Sequence, residues 1–384
     1  MDIYLDNSAT TKLDKEVLKE MLPYLQENYG NPSSAYRIGR ENKAIIEDAR
    51  KQVAKVLNAN TEEIYFTSGG SESDNMALKG VAFANQDKGR HIITSKIEHP
   101  AVLDTCKELE RHGFEITYIN VDKNGIVDLK QLETSIREDT ILISIMFANN
   151  EIGTIEPIKN IGRIAKQYNI LFHTDSVQAI GNIKIDVKEL GIDLLSLSAH
   201  KFYGPKGIGA LYVRDGINFR KYLNGGHQER NKRAGTENVA GIVGLGKAIT
   251  LAYNNFEDKN KYLYNLRTYL INEIKNNIPD IRINGDIEKR LQGNINISVN
   301  GVEADNILTE LDKRGIFIST GSACTTGSIE SSHVLKAIGL SDTKAHSSIR
   351  ISLGKYNTKD ELKHFSKELK EIIENLRKYS VLYN

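Results

Sequence analysis

Only two cysteines occur in the 384 residues, Cys106 and Cys324. Two cysteines so far apart in sequence do not make the disulfide framework of a small secreted domain, so each is considered singly. An excess of charge of one sign is also missing, because 51 lysines and arginines stand against 50 acidic residues. The resulting net charge of +1 gives no indication of a nucleic-acid partner.

Long apolar runs are absent as well. The longest ones, such as ILISIMF at 141–147, are far shorter than a membrane-spanning helix. The first residues include Asp2 and Asp6 and show no basic region followed by an apolar stretch, as a secretion signal would. We therefore expect a cytoplasmic protein without a membrane partner.

The pattern that is present is typical of a large α/β protein. A chain of 43.0 kDa can bury a sizeable core, and its length favours two domains over one. Between 14 and about 213, short β-branched runs alternate with segments of helical period, which predicts βαβ units around a mostly parallel sheet. The predicted strands are IYFTSG, HIITSKIE, FEITYINV, TILISIMF, ILFHTD and DLLSLS, with a further strand at GALYV. The predicted helices are ALKGVAFANQ, PAVLDTCKELERH, DLKQLETSI and IKNIGRIAKQYN.

A different order of elements follows a long helical region predicted at 248–277. Beyond it we predict, in chain order, a strand at 294–299, a helix at 303–315, strands at 316–320 and 348–354, and a last helix beginning at the capping box Thr358–Glu361. This order indicates a second, smaller α+β domain.

A glycine-rich turn between a predicted strand and helix is the first candidate site. In TSGGSES at 67–73, Gly69 and Gly70 would let backbone amides approach an anion that Ser71 also hydrogen-bonds, with the helix dipole helping. The segment is neither the dinucleotide nor the nucleoside-triphosphate fingerprint, so a single phosphate would suffice. A plain βα turn with an N-cap explains the same residues equally well.

Two further strand ends carry polar side chains. Asp175 in HTDSVQ ends an apolar strand, where ligands bind in open α/β sheets; the alternative is an N-cap for the next segment. At another strand end lie Ser198, His200 and Lys201, and an amine among apolar neighbours has its pKa lowered toward a nucleophilic form. A surface lysine is the alternative there. Together the turn, the carboxylate and the amine are the anchors of pyridoxal phosphate.

These motifs and others resemble the NifS/IscS-like cysteine desulfurases, which are class-V aminotransferases among the fold-type I pyridoxal phosphate enzymes. The similar segments cover essentially the whole chain: LDNSATT, YGNPSSAYRIGR, TSGGSESDN, IEHPAVL, NNEIG, HTDSVQ, SAHKFYGPKGIGALYV, GGHQERNKRAGTEN, STGSACTTG and AHSSIRISLG. The resemblance implies a large domain at 15–257 with a mostly parallel seven-stranded sheet. It also implies that 1–14 and 258–384 form the smaller α+β domain.

The resemblance further implies roles for side chains around the cofactor's ring. Lys201 would form the Schiff base with pyridoxal 5'-phosphate and later move a proton to and from the substrate. Asp175 would pair with the protonated pyridine nitrogen, and Gln178 would hydrogen-bond the ring hydroxyl oxygen. His99 would stack on the ring and serve as an acid or base, while a satisfied core histidine is the alternative for it.

Other positions correspond to the phosphate side and to the substrate. The resemblance implies phosphate-side contacts from Gly70, Ser71, Ser198 and His200. Thr236 corresponds to a residue that reaches the phosphate of the neighbouring subunit, so a homodimer is implied. Asn150 would contact the cofactor or the substrate, and Arg350 would clamp the substrate carboxylate with its planar fork of donors.

The two cysteines are expected to differ in function. Cys324 lies among small residues in ISTGSACTTGS, and the resemblance makes it the nucleophile that takes sulfur from L-cysteine, releases L-alanine and keeps the sulfur as a persulfide. The acceptor would be an iron–sulfur scaffold or a sulfur-carrier protein. No resident metal is implied, with Cys324 at most a transient ligand of an iron–sulfur cluster. Cys106 has helical spacing to Val102 and Leu109 and is expected to be a buried packing residue.

Each alternative function would use only some of these site residues. A selenocysteine lyase or another fold-type I enzyme would share the cofactor anchors. A thiol hydrolase using Cys324 with His346 or His333 would leave Lys201 and Asp175 unexplained. The chain also departs from many relatives, with GGHQERNKR lacking a third glycine and CTTG standing where serines are common. These departures leave the subgroup and the sulfur acceptor open.

Overall fold

The computed structural model describes residues 2–320 and 331–380. Its strands are β1 (Ile3–Tyr4), β2 (Ile64–Thr67), β3 (His91–Ser95), β4 (Glu115–Ile119), β5 (Thr140–Ser144), β6 (Leu171–Asp175), β7 (Leu194–Ser198), β8 (Gly209–Val213), β9 (Ile281–Ile283), β10 (Asn294–Val299), β11 (Ile316–Phe317), β12 (Ser319–Thr320) and β13 (Ser348–Ser352). Its helices are α1 (Lys15–Gln26), α2 (Arg37–Leu57), α3 (Gly70–Asn85), α4 (Pro100–Arg111), α5 (Leu129–Thr134), α6 (Ile158–Gln167), α7 (Val187–Leu190), α8 (Gln228–Asn231), α9 (Val239–Asn254), α10 (Phe256–Asn277), α11 (Ala304–Asp312), α12 (His333–Ala337), α13 (Asp342–His346) and α14 (Lys359–Lys378). Two 3₁₀ turns lie at Thr61–Glu63 and Ala199–Lys201.

The large sheet confirms the predicted mostly parallel arrangement of seven strands. Its order is β2-β8-β7-β6-β5-β3-β4. Only β8 runs against its two neighbours within this sheet, and the remaining pairs are parallel. Because β3, β5, β6 and β7 share one direction, their carboxyl ends meet at a single edge, which is where ligands bind in open α/β sheets.

Helices cover both faces of this sheet, as the continuous apolar runs predict. Successive strand residues point to opposite faces, so neighbours in sequence enter different cores. Leu142 and Leu194 belong to the apolar cluster that contains residues of α3 and α4. Ile143 and Leu195 belong to the cluster that contains residues of α2, α6 and α9. Burial on both faces explains why the strands show no polar alternation.

A second apolar core supports the predicted smaller domain. It combines residues of α10, α11 and α14 with the antiparallel sheet β12-β13-β10-β9. Ile3 and Leu5 from the first segment are buried in this same core. The predicted capping box is present, with Thr358 and Glu361 bonding each other's backbone N–H at the start of α14. The division at 15–257 stays a prediction that this arrangement supports.

Several predicted boundaries were wrong. The long helix predicted at 248–277 consists of α9 and α10, which are separated at Asn255. At the break the ring of Tyr253 stacks on that of Phe256, and Lys259 donates to the carbonyl of Gly181, so tertiary contacts fix the bend. The strand predicted at 316–320 is two short strands on either side of Ile318, and the one at 348–354 ends at 352.

Two long helices were not predicted at all. They are α1 and α2, and both pack against α9. The signal for α2 was available, because Ile46, Ala49, Val53 and Leu57 recur at helical spacing on its buried side. Among the described residues, none of the helices combines the length and the hydrophobicity needed to cross a membrane.

A buried glutamate joins two of the strand ends. Glu98 follows β3, and its Oε1 accepts hydrogen bonds from Ser95 Oγ at 2.5 Å and from the Met146 N–H at 3.0 Å, just beyond β5. Its Oε2 has no hydrogen-bond partner within the part of the chain that the structure describes. Burial is the main cause that raises the pKa of Glu98 to about 8, so this carboxyl keeps its proton near neutral pH.

We predict that Glu98 makes the protein less stable as the pH rises. The folded state holds the proton that the unfolded chain loses near 4.5, so this contribution is complete below about 4.5 and is lost as the pH passes about 8. In Glu98→Gln the group cannot ionise, and the fall of Tm between about pH 5 and about pH 8 should be smaller than in the wild type. Calorimetry across this pH range measures Tm. The control is Glu62→Gln, a substitution at an exposed glutamate. Identical pH profiles for wild type and Glu98→Gln would contradict the assignment.

Candidate active site

A cavity of about 300 Å³ lies at the carboxyl ends of β6 and β7. It is lined by residues of both cores and of the first segment. The residues predicted for the site that line it are Gly70, Ser71, His99, Asn150, Asp175, Gln178, Ser198, His200, Lys201 and Arg350. The structure therefore brings together in one place residues that are spread over 280 positions of sequence, from 70 to 350.

Lys201 reaches the cavity from the 3₁₀ turn that follows β7. Its Nζ donates to the backbone carbonyl of Ser8 at 2.6 Å and to that of Ala9 at 2.8 Å. The Nε2 of Gln178 donates to the same Ser8 carbonyl at 3.0 Å. The amine is thus held beside the first segment by uncharged acceptors, partly buried, and the alternative of an ordinary surface lysine is wrong.

Asp175 is buried at the end of β6, 6% exposed. Its Oδ1 accepts the N–H of Val177 at 2.9 Å, so it also makes the local turn contact that the alternative interpretation proposed. Burial raises the pKa of Asp175, while nearby His99, the Val177 hydrogen bond and the charge of Lys201 act against that rise. A carboxylate in this setting is stabilised by a further cationic partner.

The start of α3 also lines the cavity. Gly70 and Ser71 are in its first turn, whose N–H groups have no acceptor inside the helix. A Cβ on Gly70 would come within 2.6 Å of the Val177 side chain, so the close approach of the two segments requires glycine. Ser198 at the end of β7 lines the same cavity, with His200 beside it. Burial lowers the pKa of His200 to about 4, which leaves its imidazole neutral.

His99 lies on a wall of the cavity at the N-cap of α4. Its Nδ1 accepts the N–H of Ala101 at 3.1 Å, so the neutral ring carries its proton on Nε2. Burial is the main cause that lowers the pKa of His99. Next to it, His333 Nε2 donates to the Glu98 carbonyl at 2.9 Å, which fixes the start of α12 against this wall.

Arg350 enters the cavity from β13 of the second core and is 1% exposed. Its Nη2 lies 2.7 Å from Asp6 Oδ1, and its Nη1 donates to the Asn150 carbonyl at 3.2 Å. Its charge also acts on Glu151, a buried carboxyl whose pKa is raised by burial to about 7 and whose Oε2 accepts from Ser332 Oγ at 2.5 Å. The guanidinium thus links the first segment to the residues that follow β5.

Sequence reasoning missed several buried acids at this site. Asp74 lines the cavity one turn beyond Gly70, with its Oδ1 3.6 Å from the Nε2 of His173. Burial raises the pKa of Asp74 well above its usual range, and the charge of Asp175 raises it further. A position one helical turn after the glycine turn, on the same face, was the signal available for it. Asp6 and Glu151 lie in segments that were quoted as motifs without a role for either residue.

Thr236, a predicted site residue, is not among the described residues that line the cavity. Thr236 is exposed in the loop between α8 and α9. Cys324 lies outside the described residues. His346, named in the hydrolase alternative, is exposed at the end of α13 and does not line the cavity. In residues 2–320 and 331–380, histidine, cysteine and acidic side chains form no group placed to hold a metal ion.

Comparison with known proteins assigns the family. The family described as aminotransferase class-V matches residues 3–365. The chain is 54% identical over 383 residues to cysteine desulfurase IscS of Clostridium botulinum, covering 99% of this chain and 96% of that protein. It is 56% identical over 380 residues to cysteine desulfurase IscS of Methanosarcina thermophila, covering 99% and 94%.

Solved structures agree with this assignment. A NifS-like protein superposes with a TM-score of 0.93 at 42% identity, covering 98% of this chain and all of that one. A structure of SspA in complex with cysteine has a TM-score of 0.82 at 39% identity, covering 93% of this chain and 100% of the other. These similarities confirm the predicted fold-type I architecture. The chain belongs to the class-V aminotransferase family and, within it, to the NifS/IscS-like cysteine desulfurases.

Proposed function

We propose that this cysteine desulfurase uses pyridoxal 5'-phosphate to take sulfur from L-cysteine, releasing L-alanine and leaving a persulfide on Cys324. One observation carries the proposal: Lys201, the buried Asp175 and the first turn of α3 line a single cavity. These are an amine, a carboxylate and an anion-binding helix start, which match an aldehyde, a pyridine nitrogen and a phosphate. In the same proposal the sulfur passes from Cys324 to an iron–sulfur scaffold or a sulfur-carrier protein.

The residues that line the cavity fit this cofactor in their chemistry. Asp175 is buried and is stabilised by a cationic partner, which a protonated ring nitrogen would provide. Gly70 allows α3 to begin close to the cavity, and Ser71 and Ser198 add hydroxyl donors beside its first N–H groups. When bound, pyridoxal phosphate supplies an electron sink for the bond changes at the substrate's Cα.

Lys201 and His99 hold and move protons in this proposal. Lys201 would hold the aldehyde of the bound cofactor through Nζ and would move the proton to and from the substrate's Cα. The carbonyls of Ser8 and Ala9, now 2.6 and 2.8 Å from Nζ, would steady the released amine. His99, neutral with a proton on Nε2, would contact the bound ring and serve as an acid or base.

Binding of the substrate and transfer of its sulfur use the remaining residues. Arg350 holds the substrate carboxylate, with Asn150 beside it and Gln178 toward the ring hydroxyl. The Cys324 thiolate attacks the substrate sulfur, so that an S–S bond forms as the C–S bond breaks. The electron pair of the broken bond stays with the carbon skeleton, which takes up a proton and leaves as L-alanine.

The quaternary state and location belong to the same proposal. Thr236 is exposed and is not among the described residues that line its own chain's cavity, which supports a homodimer in which it reaches the phosphate end of the neighbouring site. The loop that carries it is tied to α3 by Arg233, whose Nε lies 2.7 Å from Glu72 Oε1. We place the enzyme in the cytoplasm.

Replacing Lys201 by alanine should abolish turnover and the covalent bond to the cofactor. After borohydride reduction and digestion, the wild type should carry the cofactor's mass on the peptide containing Lys201, and Lys201→Ala should carry it nowhere. The neighbouring exposed Lys206→Ala is the matched control and should keep the label on Lys201. A reduced cofactor on any other lysine of Lys201→Ala would contradict the assignment.

Two buried aspartates in the same cavity should respond differently to loss of charge. Asp175→Asn removes the anion that pairs with the ring nitrogen and should weaken cofactor binding by about 3 kcal/mol, as for a broken buried ion pair. Asp74→Asn should bind the cofactor nearly as the wild type does, because an amide resembles the protonated carboxyl that burial favours there. Titrating each apoprotein with pyridoxal phosphate at equilibrium measures the free energy of cofactor binding. Equal losses in both variants would mean that the charge is not localised on Asp175.

Replacing the two cysteines should have different effects on turnover. Cys324→Ala should retain the cofactor and bind L-cysteine but yield almost no alanine, since the attacking thiolate is gone. Cys106→Ala should keep its turnover and lose about 1 kcal/mol of stability, as expected for a small truncation in a core. Cys106 is fully buried in α4, and burial raises its pKa. Alanine release and mass-spectrometric mapping of persulfide provide the test; persulfide on Cys106 would overturn the mechanism.

A further inference from the structure

The guanidinium of Arg350 is only partly used by the protein. An arginine has five N–H donors in one plane, one on Nε and two on each terminal nitrogen. In Arg350, Nη2 donates to Asp6 Oδ1 at 2.7 Å and Nη1 donates to the Asn150 carbonyl at 3.2 Å. Its Nε is buried and lacks a hydrogen-bond partner among the residues that the structure describes. An unsatisfied buried donor on a cavity wall is a position for a ligand's acceptor.

Asp6 is held in place independently of Arg350. The Asp6 carbonyl accepts the N–H of Ala9 at 3.0 Å and the hydroxyl of Tyr4 at 3.0 Å. Its backbone also pairs in parallel with Ser352, two residues along β13 from Arg350. The backbone that carries Asp6 is therefore held by contacts that do not involve Arg350.

A carboxylate can bind an arginine in a bidentate way at two edges, one formed by both terminal nitrogens and one by Nε with Nη2. Both terminal nitrogens of Arg350 already have protein acceptors, whereas Nε has none. Since each terminal nitrogen has two hydrogens, Nη2 retains one after donating to Asp6. The side edge, Nε with Nη2, is thus the edge left for a ligand.

We propose that Asp6 is a positioning residue that turns Arg350 so that the Nε–Nη2 edge of its guanidinium receives the substrate carboxylate. This inference deepens the proposed function, since it rests on Arg350 as the carboxylate clamp. Asp6 also balances the arginine's charge, so the site selects the substrate by the geometry of the hydrogen bonds more than by net attraction. Specificity for an amino acid over an amine then depends on a residue that does not contact the substrate.

Asp6→Asn tests the role of this residue. Without the ion pair the guanidinium loses its fixed orientation, and we expect KM for L-cysteine to rise on the order of tenfold while kcat changes by less than about twofold, because the clamp holds ground and transition states alike. The control is Asp14→Asn, which removes a carboxylate from the same N-terminal segment that pairs with Lys355 instead of Arg350. It should leave KM unchanged. A lower KM in Asp6→Asn would mean that Asp6 competes with the substrate and would overturn the inference.

A binding measurement separates this inference from the proposed function. L-Alanine and ethylamine differ only in the carboxylate, and their Kd values can be read from the absorbance of the bound cofactor. Asp6→Asn should weaken L-alanine about tenfold and leave ethylamine unchanged. If Arg350→Lys fails to weaken L-alanine, the clamp assignment itself is wrong. If Arg350→Lys weakens it but Asp6→Asn does not, only the role of Asp6 is wrong.

A crystal structure of the wild-type holoenzyme with L-alanine gives an answer that does not depend on any variant folding well. The ligand's carboxylate should lie within hydrogen-bond distance of Arg350 Nε and Nη2, with the Asp6 pair intact. A carboxylate bound to Nη1 and Nη2, with Asp6 displaced, would overturn the inference.

Discussion

The buried carboxylate of Asp175 is the constraint on which the arrangement of the cavity depends. A carboxylate that has left water is stable only if cations and donors replace its hydration. At the end of β6 the protein supplies the neutral His99 imidazole, the N–H of Val177 and the charge of Lys201, while burial itself acts against ionisation. These groups offset only part of the cost of burying a charge on Asp175, and they must lie close to it to do so. The cationic ring of the proposed cofactor would offset more of that cost.

The same constraint explains the protonation of the neighbouring acids. Asp74 and Glu98 are buried close enough to Asp175 that its charge raises their pKa values further. Several like charges cannot all remain ionised in so small an apolar volume. The charge of Lys201 favours the ionised form of Asp175, and the described part of the chain places no such cation beside Asp74 or Glu98, so the negative charge belongs on Asp175. The neutral acids then serve as hydrogen-bonding groups, as Glu98 does between the ends of β3 and β5.

The cavity combines side chains from the large sheet with a side chain from the second core. The edge formed by β6 and β7 provides Asp175, Ser198 and Lys201, whereas β13 of the second core provides Arg350. The first segment runs between them and contacts both, through the carbonyls of residues 8 and 9 and the carboxylate of Asp6. A short segment therefore sets the relative positions of the proposed amine and the proposed clamp.

Local sequence patterns predicted much of the fold and several residues of the candidate site. Strand–helix alternation, the parallel sheet, the capping box of α14 and polar residues at strand ends are properties of neighbouring residues, so Lys201, Asp175 and Gly70 could be found without a structure. The break at Asn255 and the pairing of Asp6 with Arg350 could not. Those features arise from contacts between distant segments, 344 positions apart for Asp6 and Arg350, and the periodicity of a sequence carries no record of them. Only the packing of the two cores decided which charges face each other and which hydrogen-bond donors remain for a ligand.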